Sequence, residues 1–359
     1  MKNYNFPFST VDPSSISLSS KVTDVRSFNR RLILAEEIPF KLAEEFKAAA
    51  QHLHMGSNEM PYQMRTLNSD VYAVDETDYH EFSDAPYLGK LGLALTHGDC
   101  AYMEDRVLAT LLRFAVNGQE YQWPLYGVFD GHGGSACCDY LQKHLRKYLV
   151  QKFTENDRDE VSIFNILKLA FVDLGDRYRQ LHQYDSECHA GSTATIALII
   201  DDNLWIANVG DSRAVLNLNG LAVPLSEDAK PSLTKYQIGV LIRGGRLIHR
   251  PDDAPRVKKM KGTLAIARAV GHDEATGINP RAKIVKYPIG ESSDNSQHLI
   301  IASDGLWDVM SSFQVVEFVQ EHALMGKSCS QIARELVETA YMKGSEDNIS
   351  ALITHIKKM

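Results

Sequence analysis

Thr193-Ala-Thr-Ile-Ala-Leu-Ile-Ile-Asp-Asp-Asn-Leu-Trp-Ile-Ala-Asn-Val-Gly-Asp-Ser-Arg213 is the stretch that decides the fold. Two apolar runs, Thr193–Ile200 and Leu204–Val209, flank the short polar turn Asp201-Asp202-Asn203, which reads as a hairpin. Working outward, Leu91–Leu95, Val107–Phe114, Leu125–Phe129, Ala214–Leu218 and His298–Ala302 are further strand candidates, rich in Val, Ile, Leu and aromatics. Ser135–Lys152, Ile163–Tyr184, Phe313–His322 and Ser330–Lys343 repeat apolar residues at helical spacing. Helices and strands do not alternate one for one. The expectation is an α+β fold of antiparallel sheets with helices on their outer faces, not a doubly wound parallel sheet.

Composition removes several classes. The chain has 359 residues, 44% of them apolar and 23% charged, enough to bury a full core. A net charge of −8 argues against nucleic acid as a partner, since phosphate backbones select basic surfaces. No apolar run reaches the roughly 18 to 20 residues needed to cross a bilayer, so membrane insertion is not expected. The polar, Ser-rich start carries no apolar secretory core, and five cysteines, two of them adjacent, suit free thiols. A cytoplasmic protein is expected. Residues 1–87 read as an N-terminal extension with an amphipathic helix near 40–53, packed on the main body or docking a protein partner. Residues 88–359 read as one catalytic domain. Within it, residues 230–261 hold nine Lys and Arg against Asp252 and Asp253, a local reversal that reads as a basic flap drawing an anionic substrate.

Chemistry concentrates where acidic residues meet apolar strands. Met103-Glu104-Asp105, Asp130-Gly131-His132, Asn208-Val209-Gly210-Asp211, Ser303-Asp304-Gly305 through Asp308, and Glu346-Asp347-Asn348 are each expected to follow a strand. Singly, an Asp-Gly pair is a turn and an Asp before a helix is a cap. Jointly, five such clusters gathered at one edge of a sheet pair would repel one another unless a cation lay among them. Hard carboxylate oxygens without a His-Glu-x-x-His or Cys-x-x-Cys pattern select Mg²⁺ or Mn²⁺ over zinc. A bridging carboxylate cage is the design of two-metal hydrolases, whose ions lie roughly 3.5 to 4 Å apart and share a hydroxide.

Seven stretches in order carry a resemblance: Tyr102-Met-Glu-Asp-Arg106, Tyr126-Gly-Val-Phe-Asp-Gly-His-Gly-Gly134, Ala190-Gly-Ser-Thr-Ala194, Ala207-Asn-Val-Gly-Asp-Ser-Arg213, Leu264-Ala-Ile-Ala-Arg-Ala-Val-Gly271, Ile301-Ala-Ser-Asp-Gly-Leu-Trp-Asp308 and Gly344-Ser-Glu-Asp-Asn-Ile-Ser350. Together they resemble the metal-dependent serine/threonine protein phosphatases of type 2C. The resemblance implies a central β-sandwich of two antiparallel sheets with a pair of helices on each outer face. It implies hydrolysis of phosphoserine and phosphothreonine in a phosphoprotein substrate, with two Mg²⁺ or Mn²⁺ ions per site. Asp130 would bridge them, with Glu104 and the Gly131 carbonyl on one side and Asp304 and Asp347 on the other. Asp105 would hold metal-bound water, Asn348 would support the water shell, and Asp211 and Asp308 with Asp304 match a third, weaker metal position. His132 matches the acid that protonates the leaving oxygen, and Thr193 and Arg268 the framework.

Three positions depart from that pattern. Cys100 stands where the family places an arginine that grips phosphate, His272 where an aspartate is common, and Ala229 where a histidine is common. A thiol cannot replace a bidentate guanidinium, so Arg106, Arg243, Arg246 or Lys258 is expected to take over the contact. The alternative is a pseudophosphatase, the same fold used for binding or regulation. A carboxylate-metal nuclease fits neither the charge nor the motifs.

Overall fold

The computed structural model describes residues 72–74, 91–184, 189–250, 253–260, 262–289 and 297–356. The helix expected near 40–53, and with it most of the extension, lies outside the described residues.

The hairpin that opens the reading forms as expected. Strand β7 (Ala194–Ile200) pairs antiparallel with β8 (Asn203–Val209), and Asp201 takes the turn at φ +51°, a left-handed conformation that a short polar side chain tolerates. Together with β3 (Arg106–Val116), β4 (Gln119–Phe129) and β15 (Lys283–Pro288), these strands make a five-stranded sheet in the order β15-β8-β7-β4-β3. The second sheet has six strands: β1 (Tyr72–Val74), β2 (Leu91–Thr96), β17 (Ile349–His355), β16 (Gln297–Ala302), β9 (Arg213–Leu218) and β10 (Leu221–Pro224), in that order. Every pairing is antiparallel.

Helices α1 (Ala136–Glu155) and α2 (Glu160–His182) cover the first sheet, and α5 (Ser312–Leu324) and α6 (Cys329–Met342) the second. On α1, Leu141, Leu145 and Leu149 recur at i, i+4 and i+8 and are fully buried against Phe129 and Ile196. Each such side chain contributes about 1.5 to 3 kcal/mol by leaving water. Helix starts are marked by polar side chains: the Asp159 carboxylate accepts from Ser162 N at 2.9 Å, and Ser311/Gln314 and Ser328/Gln331 close reciprocal capping boxes. Strands β7 and β16 are buried along their whole length, as a strand must be when a helix layer lies on one face and a second sheet on the other. The α-β-β-α layering is the sandwich that the sequence led us to expect.

The basic stretch folds as a small unit of its own. Helix α3 (Thr234–Ile242) and the short strands β11 (Leu247–Ile248), β12 (Arg256–Lys258) and β13 (Thr263–Leu264) enclose Tyr236, Val240, Val257, Leu264 and Ile266. Several of its cations are spent internally: Lys235 on Glu227, Lys259 on Glu274 at 2.9 Å, and Arg243 Nε on the Gly277 carbonyl at 2.8 Å.

One part of the sequence reading needs correcting. Glu346-Asp347-Asn348 follows helix α6, not a strand, and runs into β17; Glu104-Asp105 likewise runs directly into β3. Acidic loops therefore lie at strand starts as well as strand ends. Antiparallel pairing still collects them, because the start of one strand lies beside the end of its neighbour: Arg106 opposite Phe129 and Ala351 opposite Ala302.

Candidate metal and phosphate site

The site forms where these loops meet. Asp130 immediately follows β4, Asp211 sits between β8 and β9, and Asp304 opens the short helix α4 (Asp304–Trp307) after β16. Each offers a carboxylate oxygen, and these three oxygens lie within 4.8 Å of one another. Asp130 Oδ2, both Asp211 oxygens and Asp105 Oδ2 are buried without a hydrogen-bond partner. Orphaned buried acceptors at this density are satisfied only by a positive charge or a proton among them. Burial, and then the neighbouring carboxylates Asp304, Asp105 and Asp211, hold Asp130 well above the usual carboxylate range. Burial does the same to Asp211, raises Asp304, and pushes Asp105 up to about 7, with Asp347 and Asp304 adding to it.

Neighbouring residues fix the backbone segments that carry these carboxylates. Thr193 holds Asp130 from both ends: its Oγ1 accepts from Asp130 N at 3.1 Å while its own N–H donates to Asp130 O at 2.8 Å. Asn348 ties the acidic loop together, accepting from Glu104 N at 2.6 Å and donating to the carbonyls of His97 and Tyr102, each at 3.1 Å. At Gly131 a Cβ would lie 2.5 Å from the Glu104 carbonyl oxygen, so only glycine lets these two segments touch. Arg213 clamps Asp228 through two bonds, at 2.9 and 2.6 Å, and lies 5.0 Å over the Trp307 ring, joining the Asp211 loop to the Asp304 helix. His132 Nε2 stands 3.6 Å from Asp130 Oδ1.

The positions read as a third cation site hold a cation of the chain itself. Lys230 Nζ lies 2.6 Å from Asp308 Oδ1, 3.5 Å from Asp211 Oδ2 and 3.9 Å from Asp304 Oδ2. Sequence reasoning counted Lys230 only as part of the basic stretch; its place two residues after Asp228, the partner of Arg213, was the available signal. At the position of the missing arginine, Cys100 Sγ donates to the Glu346 carbonyl at 3.5 Å and lies 3.8 Å from Asp347 Oδ1. Burial and the Asp347 charge raise its pKa, which keeps the thiol protonated. Of the residues expected to compensate, Arg106 is committed to Asp139 at 2.6 Å and to the carbonyls of Met103 and Asp105, so it shapes the acidic loop. Arg243, Arg246 and Lys258 sit in the flap unit, Arg246 and Lys258 exposed, and among the described residues none is bonded to the carboxylates.

Comparison with known proteins meets the same residues. The family model described as Protein phosphatase 2C matches residues 98–349, which contain every acidic position named above. The chain belongs to the protein phosphatase 2C family. A relative from Oryza sativa subsp. japonica, Probable protein phosphatase 2C 62, is 33% identical over 307 residues, covering 83% of this chain and 98% of that protein. Probable protein phosphatase 2C 11 of Arabidopsis thaliana is 33% identical over 268 residues, 74% of this chain and 66% of its own length. This chain thus spans somewhat under two thirds of that relative. Among solved structures, the serine-threonine phosphatase 2C of Toxoplasma gondii superposes with a TM-score of 0.63 at 19% identity, covering 80% of this chain and 99% of that one, so the fold is the protein phosphatase 2C fold. Among the described residues no helix is long and apolar enough to cross a membrane.

Proposed function

We propose that this chain hydrolyses phosphoserine and phosphothreonine in proteins with the help of divalent cations. The observation that supports it most is the set of buried carboxylate oxygens without a hydrogen-bond partner on Asp130, Asp105 and Asp211, the first and last converging with Asp304 in a chain of the protein phosphatase 2C family. The donor set is all hard oxygen, which fits Mg²⁺ or Mn²⁺. Asp130, Glu104, the Gly131 carbonyl, Asp304 and Asp347 would hold the pair of ions, with Asp105 supporting their water. Bound there, two such ions supply charge stabilisation for a phosphoryl group and lower the pKa of water toward 7.

The chain's own residues supply the rest. Thr193 fixes the backbone of Asp130 at both its N–H and its carbonyl, so the segment that would present this carboxylate to the ions is held in place. His132, partly exposed and close to Asp130, is placed to hand a proton to the departing serine or threonine oxygen through Nε2. Lys230 neutralises Asp308 and Asp211, which leaves Asp304 to serve the inner pair. The basic flap, with exposed Arg246 and Lys258, favours substrates carrying acidic residues near the phosphate.

A second reading is a pseudophosphatase, favoured by Cys100, a neutral thiol turned to the Glu346 carbonyl where a phosphate-gripping arginine is expected. One assay separates the two: phosphate release from a phosphothreonine peptide with EDTA, Mg²⁺ or Mn²⁺, alongside Asp304→Ala. Metal-dependent release that disappears in the variant supports the phosphatase. Mn²⁺ binding without release moves the reading to the pseudophosphatase.

A further inference from the structure

Behind the catalytic edge lies a second imidazole that the proposed mechanism leaves unused. The short strands β14 (Val270–Gly271), β6 (Gly191–Ser192) and β5 (Gly131–His132) form a three-stranded ribbon in which Gly271, Gly191 and His132 occupy one row. His272 follows directly, and its ring lies across Gly191: a Cβ at that glycine would stand 2.2 Å from His272 Cδ2 and 2.4 Å from Nε2. Glycine at 191 is therefore the condition for the ring to lie there. The arrangement carries backbone strain, with His272 at φ +54° although its side chain is only 1% exposed. Strain of this kind persists where surrounding structure imposes it and gathers at working sites.

The two rings are 5.9 Å apart between centroids and tilted by 58°. His272 Nδ1 donates to the His189 carbonyl at 3.2 Å, which leaves Nε2 as the nitrogen with the lone pair. That Nε2 is buried without a partner, and so is His132 Nδ1. One ring lacks an acceptor for Nδ1–H, the other lacks a donor for Nε2, and they are neighbours. Burial, reinforced by His132 and Lys259, holds the pKa of His272 down at about 3, so its lone pair is retained at neutral pH. Lys259 is itself paired with Glu274, whose carboxylate also lies 3.7 Å from His189 Nδ1.

We propose that His272 is a positioning residue for His132, its Nε2 accepting from His132 Nδ1–H through one bridging water, so that His132 Nε2 is presented to Asp130 and the leaving oxygen. The inference rests on the phosphatase reading for its kinetic consequence, but not for the hydrogen bond itself. The aspartate expected at this position would be an acceptor of the same kind, so the histidine preserves the function with a neutral group.

The test is His272→Gly, which suits a positive φ and removes the ring without straining the backbone. The proposal expects kcat for the phosphothreonine peptide to fall by about 10- to 100-fold, with KM and Mn²⁺ affinity by calorimetry little changed and the melting temperature lowered only by the cavity the ring leaves. Added imidazole, filling the vacated space, should restore at least half of the loss, and His272→Asp should retain most of kcat. A kcat within twofold of the parent, or a loss that imidazole does not relieve while Mn²⁺ still binds, overturns it. ¹⁵N spectroscopy of the His132 ring on the metal-loaded parent protein is independent of turnover. Protonation at Nδ1, lost in His272→Gly, supports the hydrogen bond, and a tautomer indifferent to residue 272 removes it. If the parent protein releases no phosphate, the phosphatase reading fails and this spectrum alone decides the role of His272.

Discussion

The carboxylates of Asp130, Asp105 and Asp211 and the imidazole of His272 are buried within the same end of the sandwich, and burial acts on them in opposite directions. It raises the acids, favouring protonation, and lowers the histidine, favouring proton loss. Both groups are driven toward neutrality, but only the acids can regain their charge by taking up a cation. The histidine instead keeps a permanent lone pair. The same desolvation therefore prepares one group to bind metal and the other to accept a hydrogen bond.

Asp130→Asn should break the acidic half outright. Phosphate release is expected to fall by at least about 10³-fold, and the rise in melting temperature on adding Mn²⁺ should disappear, while the metal-free variant melts higher than its parent at neutral pH because the carboxyl that burial and its acidic neighbours disfavour in the ionised form is gone. Calorimetry with and without Mn²⁺ reads both effects.

The comparison can be sharpened by pH. For His272 the folded pKa, about 3, lies below the unfolded value near 6.5, so the unfolded chain binds the extra proton in that window. Its contribution to stability is thus complete above about pH 6.5 and is lost as pH falls, by about 2 kcal/mol at pH 5. The raised carboxylates have the opposite slope: without metal the folded chain binds more protons between the ordinary range and about pH 7, and stability falls as pH rises through it. Urea unfolding of metal-free protein at pH 5 and 7.5 should show His272→Asn losing the acid-side penalty while keeping the alkaline one. Added Mg²⁺ should erase only the alkaline one.

Smaller effects come from the rim. Cys100→Arg should return a guanidinium to the phosphate and lower KM up to about tenfold, with little change in kcat. An unchanged KM would mean that another group already holds the phosphate. Lys230→Met removes the tethered ammonium from Asp211, Asp304 and Asp308 and should tighten a weak additional Mn²⁺ by a few-fold in calorimetry.

Much of this was legible in the chain. The alternation of apolar runs and polar turns marked β7, β8, β9 and β16 within a residue or two, and the leucine spacing marked α1. The acidic residues announced themselves by adjoining apolar strands, although Asp347 and Glu104 precede their strands instead of following them. What could not be read was the use of each cation. Arg106 looked like a phosphate ligand and is bound to Asp139, 33 residues away; Lys230 looked like flap surface and lies against Asp308, 78 residues away.

Local sequence by itself determined the strands, the helices, their caps and which residues carry charge, because periodicity, turn chemistry and capping act over a few residues. Only the tertiary structure decided which charges face one another, that His272 lies over Gly191 beside His132, and that three separate segments bring the oxygens of Asp130, Asp211 and Asp304 within one ion's reach. Those outcomes depend on antiparallel register and on what burial removes from water, and both are properties of the assembled sheets.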